Sequence, residues 1–139
     1  MQRSRFLTRP ALWFGLVILW AVVLWCLSAQ SHLPSPVKFE GIDKLEHAAY
    51  FAMGGACFLL ALRCAGWGRR PSVVMVMATL FCSMIGALDE WHQTFTPGRS
   101  GGDVWDWTAD TLGVLLGAFC AQAVYRRLIS AGTTTAAAP

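Results

Sequence analysis

The chain has 139 residues, enough for one compact unit. It is 55% hydrophobic and only 14% charged, with a mean hydropathy of +0.48. That balance excludes an ordinary soluble domain and points to the membrane class. The net charge of +3 acquires meaning only through its placement along the chain. Five Cys (Cys26, Cys57, Cys64, Cys82, Cys120) each sit inside an apolar run and form no CxxC pair, so they read as small buried hydrophobes rather than a disulfide framework or a metal cluster.

A membrane helix needs about 20 mostly apolar residues. The run Ala11 to Ala29 meets that length with Ser28 as its one polar residue. Arg3, Arg5 and Arg9 before it resemble the basic start of a signal peptide. The apolar stretch is nevertheless long for one, and Leu27 is a poor residue three before a cut after Ala29, so a retained helix is the favoured reading. The next runs are Ala48 to Leu62, Val73 to Leu88 and Ala109 to Tyr125. Each reaches spanning length only if its polar ends are helical too. The expected fold is an all-α integral membrane protein, a bundle of four transmembrane helices over about 11–29, 43–64, 72–92 and 106–126.

Short cytoplasmic segments carry the excess of Lys and Arg. Arg3, Arg5, Arg9, Arg63, Arg69, Arg70, Arg126 and Arg127 fall on one side of such a bundle, while Lys38, Lys44 and Arg99 fall on the other. Both termini are therefore expected in the cytoplasm, with the protein in the cytoplasmic (inner) membrane. Residues 1–10 would be a cytoplasmic segment and 128–139 a disordered cytoplasmic tail. All eight acids (Glu40, Asp43, Glu46, Asp89, Glu90, Asp103, Asp106, Asp110) and His32, His47 and His92 map to the outer side. Acids that merely avoid the inner leaflet would give the same asymmetry.

Spacing argues for more. Residues three and four apart share a helix face. Asp106, Asp110, Gly113, Gly117 and Ala121 form such a row in the fourth helix, with Gly113 and Gly117 making a GxxxG that permits close approach. Asp43, His47, Tyr50, Gly54, Cys57 and Ala61 form one in the second. Met75, Thr79, Cys82, Gly86, Asp89 and Gln93 form one in the third. Small-residue rows are packing seams, but each of these ends in ionisable or polar residues at the same surface. A charge beside hydrocarbon is costly unless it faces the bundle interior, water or a partner. The rows together predict a shared polar cavity. The first helix has no such row, although Ser28 and Gln30 lie at its outer end. Arg99, after the turn "TPG", is the outer side's single Arg. It serves either to grip a phosphate or carboxylate bidentately or to neutralise the acids around it. Trp91, Trp105 and Trp107 read as interfacial anchors.

The blocks "SAQS" (Ser28 to Ser31), "DKLEHAAYF" (Asp43 to Phe51) and "DEWHQTFTPGRSGGDVWDWTADTLGVLLG" (Asp89 to Gly117) resemble, in content and order, the signatures of VanZ-like membrane proteins. The resemblance spans about residues 20 to 125, and its third block is the specific one. It implies a single VanZ-like transmembrane domain over 11–127 and a cell-envelope connection, the founding member being associated with teicoplanin resistance. It carries over as ligand-binding candidates Asp43, Lys44, His47 and Tyr50, then Asp89, Glu90, Gln93, Arg99, Asp106 and Asp110. Asp110 stands where many relatives resemble one another in having Asn.

Several functions fit these residues. The first is binding of an outer-leaflet ligand, a lipid-linked envelope precursor or a glycopeptide, with Arg99 and Lys44 on an anionic group. The second is an enzyme using Asp89 or Glu90 as base with His47 as partner, although no nucleophile motif is present. A metal site built on His47 and His92 lacks the usual ligand spacing, so no metal and no cofactor are expected. Four short helices without a repeat or a broken helix argue against a transporter. A purely structural membrane protein is the remaining alternative. Membrane lipids are the expected partners, and nucleic acid is not one.

Overall fold

The computed structural model describes residues 8–31, 41–67 and 70–134, with side chains to Arg127. Among these residues there are four helices and no strand. They are α1 (Pro10–Ser28), α2 (Ile42–Cys64), α3 (Pro71–Gln93) and α4 (Val104–Thr134). All four are long and apolar enough to cross a membrane. The polar ends read as helix in the sequence are helical here: Asp43 to His47 open α2, and Asp89 to Gln93 close α3.

Local chemistry sets the boundaries. Pro10 and Pro71 start α1 and α3 at the position where a missing N–H costs nothing. Asp103 accepts a hydrogen bond from the Trp105 N–H at 2.8 Å and caps the start of α4. α4 runs beyond the expected end at 126 and takes in residues 128–134 of the segment read as a disordered tail. Residues 127–134 include Arg, Leu, Ile and Ala, which favour or tolerate helix, and no Pro. Residues 1–7, 32–40 and 135–139, and with them Arg3, Arg5, His32, Lys38 and Glu40, lie outside the described residues, as does Arg69.

The closest helix pair is α2 with α4, and glycine makes it so. A Cβ on Gly113 would collide with the Ala48 backbone carbonyl, and one on Gly117 with that of Ala52. The two backbones therefore touch along the row foreseen from the 4-3-4 spacing, and Asp110, Gly113, Gly117 and Ala121 are all buried on it. The apolar core lies below this polar end. Leu59, Leu62, Val74, Ala78 and Ala118 fill one half, and Trp20, Phe51, Cys82 and Val114 fill the middle. Ile18, Leu80, Leu116 and Phe119 point outward, as lipid-facing residues must.

Candidate functional site

The up-and-down order brings the C-terminal ends of α1 and α3 to the same end as the N-terminal ends of α2 and α4. Seven of the eight acids gather there: Asp43, Glu46, Asp89, Glu90, Asp103, Asp106 and Asp110; Glu40 lies outside the described residues. Arg63, Arg70, Arg126 and Arg127 belong to the opposite end. The described acids thus all lie at one end, and Lys44 and Arg99 are the described Lys and Arg that share it.

At the centre of the acidic end, His47 Nδ1 lies 2.9 Å from Asp110 Oδ1. The contact crosses from α2 to α4 where the glycine seam draws them together. Asp110 is fully buried, and its Oδ2 has no hydrogen-bond partner among the described residues. Space for it is left by Gly86 of α3, where an added Cβ would come 2.8 Å from Asp110 Oδ2. The carboxylate partner of His47 is therefore Asp110, and not Asp89 or Glu90 as acid–base pairing in the sequence had it.

Lys44 is engaged by three carboxylates. Its Nζ lies 2.8 Å from Asp43, 2.8 Å from Asp106 and 3.3 Å from Asp103. The backbone N–H of Trp105, and then Lys44, hold the Asp103 carboxyl below its ordinary range. That contribution to the α4 start is present at neutral pH and disappears as pH falls through the lowered value.

The end of α3 is fixed from two directions. Asp89 is buried, accepts from the Ser28 hydroxyl of α1, and accepts from Gln93 Nε2 at 2.8 Å. Thr96 Oγ1 donates to the Ser28 carbonyl at 3.0 Å. On the neighbouring residue, Glu90 Oε2 accepts the Asp103 N–H at 2.8 Å, and the Glu90 carbonyl accepts the Gly102 N–H at 3.2 Å. Gly101 and Gly102 are needed here. Gly102 has φ +80°, and a Cβ on Gly101 would strike the backbone of Glu90, Gln93 and Thr94. Glu90 Oε1 is left buried without a partner among the described residues.

Beside this network lies a cavity of about 340 Å³ between α1, α2, α3 and the Arg99 loop. Four of its lining residues are apolar (Leu24, Leu27, Ile42, Phe51); the rest are polar, Ser28 and Glu46 together with the candidates Asp43, His47, Tyr50, Asp89, Gln93 and Arg99. The ten candidate residues thus divide. Six line the cavity. Lys44, Glu90, Asp106 and Asp110 belong to the adjoining charge cluster, and Asp43 and His47 are common to both. Ser28 and Thr96 belong to the site as well. The "SAQS" block held the signal for Ser28; nothing in the sequence marked Thr96. His92 stands apart, stacked face to face on Trp25 with ring centroids 3.7 Å apart.

Fold and site together define a multi-pass membrane protein of four helices, with a polar, carboxylate-rich cavity at one end. The VanZ/LLP1 family model matches residues 12–126, and the chain belongs to that family. No curated protein and no solved structure matches it.

Proposed function

We propose that this protein binds an amphipathic cell-envelope molecule, a lipid-linked precursor or a glycopeptide-related ligand, through an anionic group held by Arg99. The observation that carries this reading is the state of Arg99. It lines the cavity, its Nε is buried, and that atom has no hydrogen-bond partner among the described residues. Leaving a buried charged donor unsatisfied costs more than about 1–3 kcal/mol, which an incoming phosphate or carboxylate repays. Lys44, the other cation of the described acidic end, is already surrounded by Asp43, Asp103 and Asp106. The apolar wall of Leu24, Leu27 and Phe51 suits an acyl or prenyl chain beside that head group.

The cavity opens to the outer side of the cytoplasmic membrane, with both termini inside. The support for this orientation is the basic excess at the opposite end. Ligand capture there links the protein to glycopeptide (teicoplanin) susceptibility. The test is native mass spectrometry of the protein released from membranes. A retained anionic lipid or lipid-linked sugar, lost in Arg99→Ala, is the expected result; a protein that emerges empty overturns the reading.

A second reading, an enzyme acting on a lipid-linked precursor, is favoured by one feature. A buried carboxylate on Nδ1 fixes the tautomer of His47 and leaves Nε2 as the basic nitrogen, as a general base requires.

A further inference from the structure

We propose that His47, Glu90 and Asp106 bind one divalent transition-metal ion, with Asp110 orienting His47. A ring nitrogen of His47 and one carboxylate oxygen each from Glu90 and Asp106 lie within 4.8 Å of one another. They come from three different helices, α2, α3 and α4, so no HxxxH or CxxC spacing announces them in the sequence.

Proximity alone is common among acids. Two further observations point to an ion. Glu90 is 95% buried, since only 5% of it is exposed, and its Oε1 has no hydrogen-bond partner among the described residues. A buried carboxylate oxygen left bare is costly, and its other oxygen is already committed to the Asp103 N–H. The second is the histidine geometry. Asp110 Oδ1 sits on Nδ1 of His47, so the lone pair available for a metal is on Nε2. Metal-ligating histidines almost always have such a carboxylate or carbonyl behind them, because it sets the tautomer and raises the basicity of the ring.

Charge runs the same way. Glu90, Asp106 and Asp110 are all buried, and among the described side chains Lys44 is the one Lys or Arg with an ion pair to any of them. A dication would balance the remaining negative charge. One imidazole with carboxylate oxygens suits Mn²⁺, Fe²⁺ or Zn²⁺ better than the all-oxygen ions Mg²⁺ and Ca²⁺ or thiolate-seeking Cu⁺. The inference goes beyond ligand capture and does not depend on it: that reading stands or falls on Arg99, this one on Glu90 and Asp106.

The test uses the full-length protein in detergent micelles, stripped with EDTA and titrated with Mn²⁺ while free Mn²⁺ is followed by electron paramagnetic resonance. Zn²⁺ competition follows. One saturable ion per chain is expected. Glu90→Gln and Asp106→Asn should each weaken it at least about tenfold. Asp110→Asn should weaken it by about 10- to 100-fold, the usual effect of losing the group behind a ligand. Glu90→Gln and Asp106→Asn keep a carbonyl for their existing partners, the Asp103 N–H and the Lys44 ammonium, so folding is retained and can be checked by circular dichroism. His92→Phe, away from the cluster on Trp25, should bind as wild type. Folded wild-type protein that takes up neither Mn²⁺ nor Zn²⁺ saturably overturns the proposal, as does unchanged affinity in Glu90→Gln and Asp106→Asn.

Discussion

Trp20 and Tyr50 exchange hydrogen bonds across α1 and α2. The indole Nε1 donates to the Tyr50 carbonyl at 3.1 Å, and the Tyr50 hydroxyl donates to the Trp20 carbonyl at 2.9 Å. The rings stack with centroids 5.9 Å apart, and the indole lies over Gly54, where a Cβ would run into it. A helix with no row of small residues is thereby docked by one large ring in one small gap.

Tyr50→Phe removes one of the two bonds and keeps the stack. Interhelical hydrogen bonds in membranes average about 0.6 kcal/mol and reach about 1.7 kcal/mol, so a loss in that range is expected. Gly54→Ala should cost more, since it displaces the indole from its stack on Tyr50 and breaks the indole's bond to the Tyr50 carbonyl. Chemical unfolding in mixed micelles checks the order; a Gly54→Ala variant as stable as wild type contradicts the docking described.

The glycine seam gives a sharper contrast. Gly113→Leu and Gly117→Leu should lower both membrane yield and melting temperature, because even a Cβ meets the Ala48 and Ala52 carbonyls. Leu115→Ala should change little, since Leu115 faces outward at 40% exposure. Equal melting of the three variants would sink the shared-face arrangement.

Arg99 can be tested by substituting charge for geometry. If it grips a planar anion with its fork, Arg99→Lys should lose most lipid retention despite keeping the charge. If it merely balances Asp43 and Asp89, Lys should act as wild type. Retention at matched membrane levels is the measurement, with drug susceptibility as the cellular one.

Orientation follows from single cysteines in a Cys-free background. Ser100→Cys should react with an impermeant thiol reagent on intact cells, and Thr134→Cys only after permeabilisation. The reverse pattern inverts the bundle.

Helical periodicity carried the sequence reading a long way. Asp110, Gly113, Gly117 and Ala121 share the buried face that their spacing announced, and Asp89 and Gln93 are buried at the foot of the α3 row. What periodicity cannot encode is which neighbour arrives from elsewhere. Glu90 lies one residue off that row, yet it is as buried as Asp89. Ser28 covers one side of the helix end, while the Gly101–Asp103 loop folds over the other. Asp43 begins its row but stays half exposed, because the first turn of α2 projects past the seam. The pairing of His47 with Asp110 required knowing that α2 and α4 are the pair in backbone contact. Thr96 was silent because its bond to the Ser28 carbonyl depends on a loop path.

The seam also has a genetic consequence. Every single-base change in a glycine codon either preserves glycine, ends the chain or adds at least a Cβ. At Gly113 and Gly117 the first added atom already meets a neighbouring carbonyl. No point mutation that changes these residues has a mild form, whereas Leu115 between them can drift among apolar side chains against lipid. In a saturation library under selection for the folded protein, codons 113 and 117 should be among the most depleted, with codon 115 permissive between them.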